Sequence, residues 1–340
     1  MKIAHARERN APAGAPHRLF AAIDADGNAW LDLEIARRRA ARRDERLAHN
    51  EPLFRQPITT LDDHLSRGLR VAALGAVLET HQGGTATDDD AVYNASDLSF
   101  GSPVLRPASI RDFYAFERHV ATMWSRRGQE IPEPWYRLPI FYFSNVSEIR
   151  GPGDPVSAPR GSVELDYELE IAALIDTPVH DLPAERGDEA IGGFMVMNDW
   201  SARDLQRDET QVRLGPAKGK DFATTLGPWL VTPDELADRR KDKGYDLTAT
   251  AEVNGTELSR GNWSSITHSF AEMIERASAD VRLVPGDVIG SGTVGTGCLL
   301  EIKDESGFGR WLQPGDSVSL KVERLGTLTA PVIERDNVHR

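Results

Sequence analysis

Short β-branched runs broken by Gly and Pro fill the chain from about residue 138 onward, and they constrain the fold more than any other feature. LPIFYFS, SVELDYELEIAALI, IGGFMVMND, TLGPWLV, LTATAEVNG, DVIGSGTVG, GCLLEIKD and DSVSLKVERLG each read as strand. Strands this frequent argue against a parallel βαβ array. They predict a mixed, β-rich α+β fold built on a folded-over sheet with a few helices. The Asn-Gly pair in EVNGTEL predicts a hairpin turn, and a helix is expected over 266–277.

Upstream, RLFAAID and NAWLDLEI read as two strands around the turn Ala25-Asp26-Gly27-Asn28. Helices are expected over 35–49 and 61–81, the second capped by Thr60 with Asp63 and stopped at Gly83-Gly84. The acidic stretch 85–90 reads as a linker. A small N-terminal domain is therefore expected over 1–90 and a second, larger domain over 91–340. Ser109 and Asp112 are read as caps of a further helix running to about Arg127.

The chain has 340 residues, with 40 basic against 53 acidic side chains and a net charge of −13. That balance argues against nucleic acid or an anionic membrane surface as the main partner, since both demand clustered Lys and Arg. A single cysteine, Cys298, excludes an internal disulfide and a Cys-rich zinc site. Its place in the apolar run CLLEI fits a buried structural thiol. No secretory signal or membrane span is legible, and a cytoplasmic location is expected.

Glu164, Asp166, Glu168 and Glu170 recur at every second position in SVELDYELEIA, which puts them on one side of a strand. Such a row is either the solvated outer face of a half-buried strand or a platform of hard oxygen ligands for a divalent metal. Asp199 lies where the apolar run GGFMVMND meets a helix start. It is either a helix cap paired with Arg203 or a metal-bound carboxylate on one face with Arg203 and Gln206. Asp112 and His119, two helical turns apart, would share a face about 10 Å apart along the axis. Lys220, in GPAKGKDFATT, is either a solvated loop charge or a point charge for a substrate anion.

Two motifs are decoys. DADGNAWLDLEI resembles a calcium-binding loop but has Ala29 and Ile35 where glycine and a bidentate glutamate belong, so a hairpin is expected. GSGTVG, from Gly290 to Gly295, matches a dinucleotide-binding pattern. Gly307 and Gly309 leave no room for the long helix that pattern needs, so it reads as a bend between strands.

The segments RDFYAFERH, LDYELEIA, MNDWSARDLQ, LGPAKGKDFATT and GSGTVGTGCLLEI occur in an order and spacing that resemble the fumarylacetoacetate hydrolase family. The resemblance covers roughly residues 100 to 330. It implies a fumarylacetoacetase-like β-sheet roll, a homodimer and a divalent ion, Mg²⁺ or Ca²⁺ with Mn²⁺ as a third option. Glu168, Glu170, Asp199 and Asp112 match the family's metal carboxylates. His119 matches its catalytic histidine and Glu301 the partner of that histidine. Arg203, Gln206 and Lys220 match groups that hold developing negative charge, and Tyr114, Tyr142 and Thr293 match substrate contacts. The chain departs from fumarylacetoacetase after LPIFY, where FSNVSEIRGPGDPV replaces a His-Gly-Arg-Ala-Ser-Ser run. The GPGDPV ending looks like shorter bacterial relatives acting on acylpyruvates.

The resemblance implies hydrolysis of a carbon–carbon bond in a β-diketone or 2,4-dioxo acid, a small-molecule substrate of aromatic amino acid catabolism. Water is activated by His119 with Glu301. The competing readings are a metal-dependent decarboxylase or hydratase of an oxo acid, and a non-catalytic metal-binding scaffold.

Overall fold

The computed structural model describes residues 1–12, 14–82 and 89–335. Its centre is a 12-stranded sheet. Crossing it, ten strands run in the order Val92–Asn94, Ala29–Asp32, Arg18–Ala22, Lys2–Glu8, Thr224–Val231, Ile191–Asp199, Leu169–Ile175, Val288–Gly290, Ile110–Phe113, Phe141–Ser144, while off that path Leu98–Phe100 pairs with Lys2–Glu8 and Ile149–Arg150 with Thr224–Val231. Ala29–Asp32, Arg18–Ala22 and Lys2–Glu8 belong to the N-terminal segment, and Val92–Asn94, from just beyond it, pairs on their outer edge. Lys2–Glu8 joins the N-terminal segment to the rest of the sheet by pairing with Thr224–Val231.

The central strands are apolar on both faces because both are covered. On Leu169–Ile175, the odd-numbered Leu169, Ile171, Ala173 and Ile175 enter one core. The even-numbered Ala172 and Leu174 enter another. The first core fills the space against a four-stranded sheet ordered Thr256–Asn262, Thr248–Val253, Ser317–Val322, Gly326–Pro331, through Ala251, Val253, Leu320 and Leu328. The second is covered by N-terminal helices through Leu61, Leu65, Leu74 and Val77. At roughly 25 cal/mol per Å² of apolar surface removed from water, burial on both faces stabilises these strands.

The expected β-rich architecture is present, and the hairpins form as read. Asn254 and Gly255, both at positive φ, turn Thr248–Val253 into Thr256–Asn262. At the first hairpin the Asp24 carboxylate accepts from the backbone N–H groups of Gly27, Asn28 and Ala29. Thr60 caps its helix by accepting from Asp63 N–H at 3.1 Å.

Several local expectations are corrected. The helix expected over 35–49 is two, Leu33–Arg43 and Glu45–Asn50, because Asp44 is extended and its side chain caps the second. The helix expected over 61–81 is interrupted after Leu61–Ser66, where Gly68 takes a φ of 73°, and resumes as Gly75–Gln82. Gly83-Gly84 and most of the stretch read as a linker lie outside the described residues. The helix expected from Ser109 does not form there: Ile110–Phe113 is a strand, and the helix is Glu117–Ser125. GCLLEIKD is not a strand, since Leu299–Ile302 is a short helix. The glycine-rich bend of 290–295 therefore joins a strand to a helix. The helix expected from 266 starts at Phe270, behind a capping box of Ser269 and Glu272. The 164–170 stretch is two pieces, Leu165–Asp166 and Leu169–Ile175.

Candidate active site

Three of four neighbouring strands deliver the carboxylates, and the fourth contributes Gly290 between them. On the face of the second core, Glu170 precedes Ala172 and Leu174, and Asp199 follows Met195 and Met197. Asp112 follows Ile110 on the same face, and Gly290 follows Val288. Period-two alternation thus brings Glu170, Asp199 and Asp112 to one end of one face. Carboxylate oxygens of the three lie within 4.8 Å of one another, all buried. The shared helical face expected for Asp112 and His119 is excluded, because Asp112 is on a strand.

Buried like charges cannot all ionise without a cation. Burial, then the Asp199 charge, pushes the Asp112 carboxyl well up. Burial, then Asp112, does the same to Glu170. Asp199 is also raised by burial, against the opposing pull of Lys220. Among the described residues, no donor serves either oxygen of Glu170 or Oδ1 of Asp199. Unserved buried oxygens on converging carboxylates fit a hard divalent cation, for which oxygen-only sites are suited.

Glu168 stands apart from that trio. Its Oε1 accepts from Arg203 Nη2 at 2.7 Å and its Oε2 from Lys220 Nζ at 2.5 Å. Burial raises its pKa, but Lys220 and Arg203 outweigh burial and hold it far below the usual carboxylate range. Lys220 Nζ also lies 2.5 Å from Asp199 Oδ2, which accepts a second contact from the Tyr142 hydroxyl at 2.6 Å. Lys220 is buried and is not a solvated loop charge. The expected pairing of Asp199 with Arg203 as a helix cap is absent. Asp199 ends a strand, and Arg203 opens the helix Arg203–Gln211 with its guanidinium on Asp166 and Glu168. Gln206 accepts from Arg203 Nη1 at 3.0 Å, which leaves its amide nitrogen free of that contact.

His119 sits in the first turns of Glu117–Ser125, buried, with Nδ1 2.8 Å from Glu301 Oε2. Glu301 is fixed in turn by the Thr296 N–H on Oε1 at 3.1 Å. Thr296 has a φ of 72°, a left-handed conformation that β-branched residues rarely adopt. The loop holding it lies against the His119 helix, where Gly295 meets Arg118. Tyr114 stands edge-on to His119 with ring centroids 5.4 Å apart, and its hydroxyl is pushed up by burial and by Glu168. Thr293 is buried in the same loop, its methyl facing Gly297. Cys298 is buried, and burial pushes its thiol well up.

Two contributors were not singled out from the sequence, and a third, Asp166, was read only as a member of the acidic row. Asp166 links Arg203 to the helix that bears Glu301. The Asn198 amide oxygen accepts from Glu168 N–H at 3.0 Å. The Arg127 charge acts on the Tyr114 hydroxyl. The polar row of 164–170 held a signal for Asp166, but a period of two does not distinguish a solvated acid from one neutralised by a distant arginine.

Fold and site together define a sheet-based enzyme scaffold whose carboxylate cluster is suited to a divalent ion beside a histidine–glutamate pair. A family model described as the C-terminal region of fumarylacetoacetate (FAA) hydrolase matches residues 108–333, and the chain belongs to that family. It is similar to the 2,4-didehydro-3-deoxy-L-rhamnonate hydrolase of Sphingomonas sp., 32% identical over 200 residues, which are 58% of this chain and 65% of that protein. It is also similar to the crystal structure of 5-carboxymethyl-2-hydroxymuconate delta-isomerase from Mycobacterium smegmatis, 31% identical with a TM-score of 0.56 over 72% of this chain and 83% of that one. The fold alone is shared with fumarylacetoacetate hydrolase from Exiguobacterium antarcticum, 22% identical with a TM-score of 0.67 over 98% and 100% of the two chains. Among the described residues, no helix is long and apolar enough to cross a membrane.

Proposed function

We propose that this protein hydrolyses a carbon–carbon bond in a 2,4-dioxo acid or related β-diketone such as an acylpyruvate. The observation that carries the reading is the His119–Glu301 contact of 2.8 Å between two buried side chains. Asp112, Glu170 and Asp199 would hold the ion, Mg²⁺ or Ca²⁺ in class, whose chemistry is Lewis-acid polarisation of a dione's oxygens.

With Nδ1 facing Glu301, His119 keeps Nε2 to take a proton from water, and the Glu301 carboxylate supports the imidazolium that results. The hydroxide adds to the acyl carbonyl carbon. Arg203, Lys220 and the Gln206 amide are the donors proposed to face the oxyanion, each worth on the order of 3 kcal/mol in such a role. The bond to the central carbon then breaks, its electron pair leaving as an enolate that takes a proton from Lys220 Nζ or His119 Nε2. A carboxylic acid and a 2-oxo acid result. Tyr114, Tyr142 and Thr293 remain the proposed substrate contacts, and a homodimer belongs to the same reading.

One observation favours a second reading, proton transfer without cleavage: the Mycobacterium smegmatis neighbour carries an isomerase name. The test is a panel of fumarylacetoacetate, fumarylpyruvate, acetylpyruvate and oxaloacetate, each with Mg²⁺ and with chelator, read by product analysis. Two carbon fragments support hydrolysis, whereas carbon dioxide, a hydrated acid or an isomer supports the alternatives. His119→Ala and Glu301→Gln are expected to lose turnover while still binding metal, and turnover intact in His119→Ala would overturn the water-activation role.

A further inference from the structure

Asp166 is fully buried, and nothing in the family resemblance assigns it a role. Four donors converge on its carboxylate. Oδ1 accepts from the N–H groups of Tyr167 and Leu299, each at 2.8 Å. Oδ2 accepts from Leu300 N–H at 3.0 Å and from Arg203 Nε at 2.8 Å. Leu299 and Leu300 open the short helix that carries Glu301, and Cys298 before them gives no side-chain cap. The first N–H groups of a helix have no partner within it, so Asp166 supplies one from a strand far away in sequence. The other end of the same Arg203 guanidinium lies on Glu168.

We propose that Asp166 is a positioning residue whose one carboxylate sets both the Glu301 helix behind His119 and the Arg203 guanidinium in front of Glu168. The inference rests on the proposed role of the His119–Glu301 pair. A charge so deeply buried is costly unless its geometry is saturated, as it is here. Because it touches neither the cluster of Asp112, Glu170 and Asp199 nor the imidazole, its effect would pass through Glu301 and Arg203. Replacing it with Asn turns one acceptor into a donor. That donor would face either the Leu300 N–H and the Arg203 Nε–H or the Tyr167 and Leu299 N–H groups, so at least one hold on the Glu301 helix is lost in either orientation.

The experiment is Asp166→Asn, Glu301→Gln and the double variant, with kcat, KM and Mg²⁺ affinity by calorimetry on the full chain. Asp166→Asn should lower kcat on the order of 10–100-fold, as loss of an orienting partner does, with KM and Mg²⁺ affinity within about threefold of the parent. In the Glu301→Gln background the same change should cost about threefold or less, because its main route of action is already gone. A purely structural role would leave the two effects multiplicative, and that result overturns the inference. So does a kcat within about threefold of the parent. If Asp166→Asn does not fold, Leu300→Pro takes its place. It removes one N–H donor at a first-turn position that tolerates proline and leaves the Asp166–Arg203 pair intact. It should lower kcat with the same non-multiplicative pattern, and multiplicative behaviour would again overturn the inference. Undiminished turnover in Glu301→Gln alone would instead defeat the proposed function, so the two failures are distinct.

Discussion

A Cβ placed on Gly290 would stand 2.6 Å from Oδ1 of Asp112, well inside van der Waals contact, and 2.9 Å from the Met197 methyl. Gly290 sits between the Asp112 strand and the Glu170 strand, paired with Asp112 on one side and Ala172 on the other. The bare backbone there is what lets Asp112 reach across to Glu170 and Asp199. Gly290→Ala is therefore expected to displace Asp112, with an overpacking cost of about 1–3 kcal/mol in stability. Divalent-ion affinity measured by calorimetry should fall by at least about tenfold, one lost ligand being worth more than 1.4 kcal/mol. Unchanged affinity would show that Asp112 does not take part.

The raised carboxyl pKa values of Asp112, Glu170 and Asp199 give a second prediction, with a definite sign. A group whose folded pKa lies above its unfolded value contributes stability at low pH and loses it as pH rises through the folded pKa. The metal-free protein should therefore lose thermal stability as pH climbs above the ordinary carboxyl range of about 4. A bound divalent ion should reverse the trend, adding about 2.7 kcal/mol at a hundred times its Kd. Glu170→Gln removes one of the three charges. In chelator it should melt higher than the parent at pH 8, and it should show little further rise on adding Mg²⁺. A scanning-calorimetry series over pH with and without chelator checks both parts.

Lys220 offers a way to separate ion binding from catalysis. Its ammonium lies 2.5 Å from Asp199 Oδ2, so it competes with a cation for that carboxylate. Lys220→Met should bind Mg²⁺ at least as tightly as the parent, because a neighbouring positive charge is gone. Turnover should fall on the order of 100-fold with the loss of an anion-stabilising donor. Parallel loss of both properties would mean that Lys220 holds the site together rather than serving the reaction.

The sequence revealed this site unevenly, and the reasons are physical. IGGFMVMND is read as a strand ending at Asp199, and the strand Ile191–Asp199 has those bounds, because an unbroken apolar run suits a strand covered on both faces. Asp112 is misplaced because Ser109 and Asp112 imitate a helix cap. The competing interaction is pairing of Ile110–Phe113 with Val288–Gly290, far along the chain, which local propensity does not register. The solvated-face alternative for 164–170 fails at Asp166, Glu168 and Glu170, all buried, and survives only at Glu164, whose partner Arg207 is exposed. The neutralising groups Arg203 and Lys220 come from distant segments, so spacing alone left that alternative open. CLLEI resembles a strand in composition, yet Asp166 supplies the N-terminal acceptor that a helix there needs.

The last prediction concerns the joint between the N-terminal segment and the rest of the chain. His5 is buried with Nδ1 2.9 Å from the Ser102 carbonyl, and its Nε2 accepts from Leu61 N–H at 2.9 Å. A ring that donates at one nitrogen and accepts at the other must be neutral. Burial lowers its pKa first, with Ser102 and Asp62 opposing and His17 adding to the depression. Burial likewise lowers His17, helped by Arg7, and lowers His64, whose Nε2 meets the Arg70 carbonyl. A folded pKa below the unfolded value of about 6.5 means that the unfolded chain takes up the proton first. The stability involved is complete above that pH and drains away as pH falls through it, by at most about 1.4 kcal/mol per pH unit for each histidine. With metal saturating, so that the carboxylate trio does not contribute, the melting temperature should drop between pH 7 and pH 5. His5→Asn should melt lower at pH 7, by about 1–3 kcal/mol for the unserved Leu61 and Ser102 groups, and its slope against pH should be shallower. A variant that kept the parental slope would place the proton uptake on His17 and His64 and remove His5 from the account.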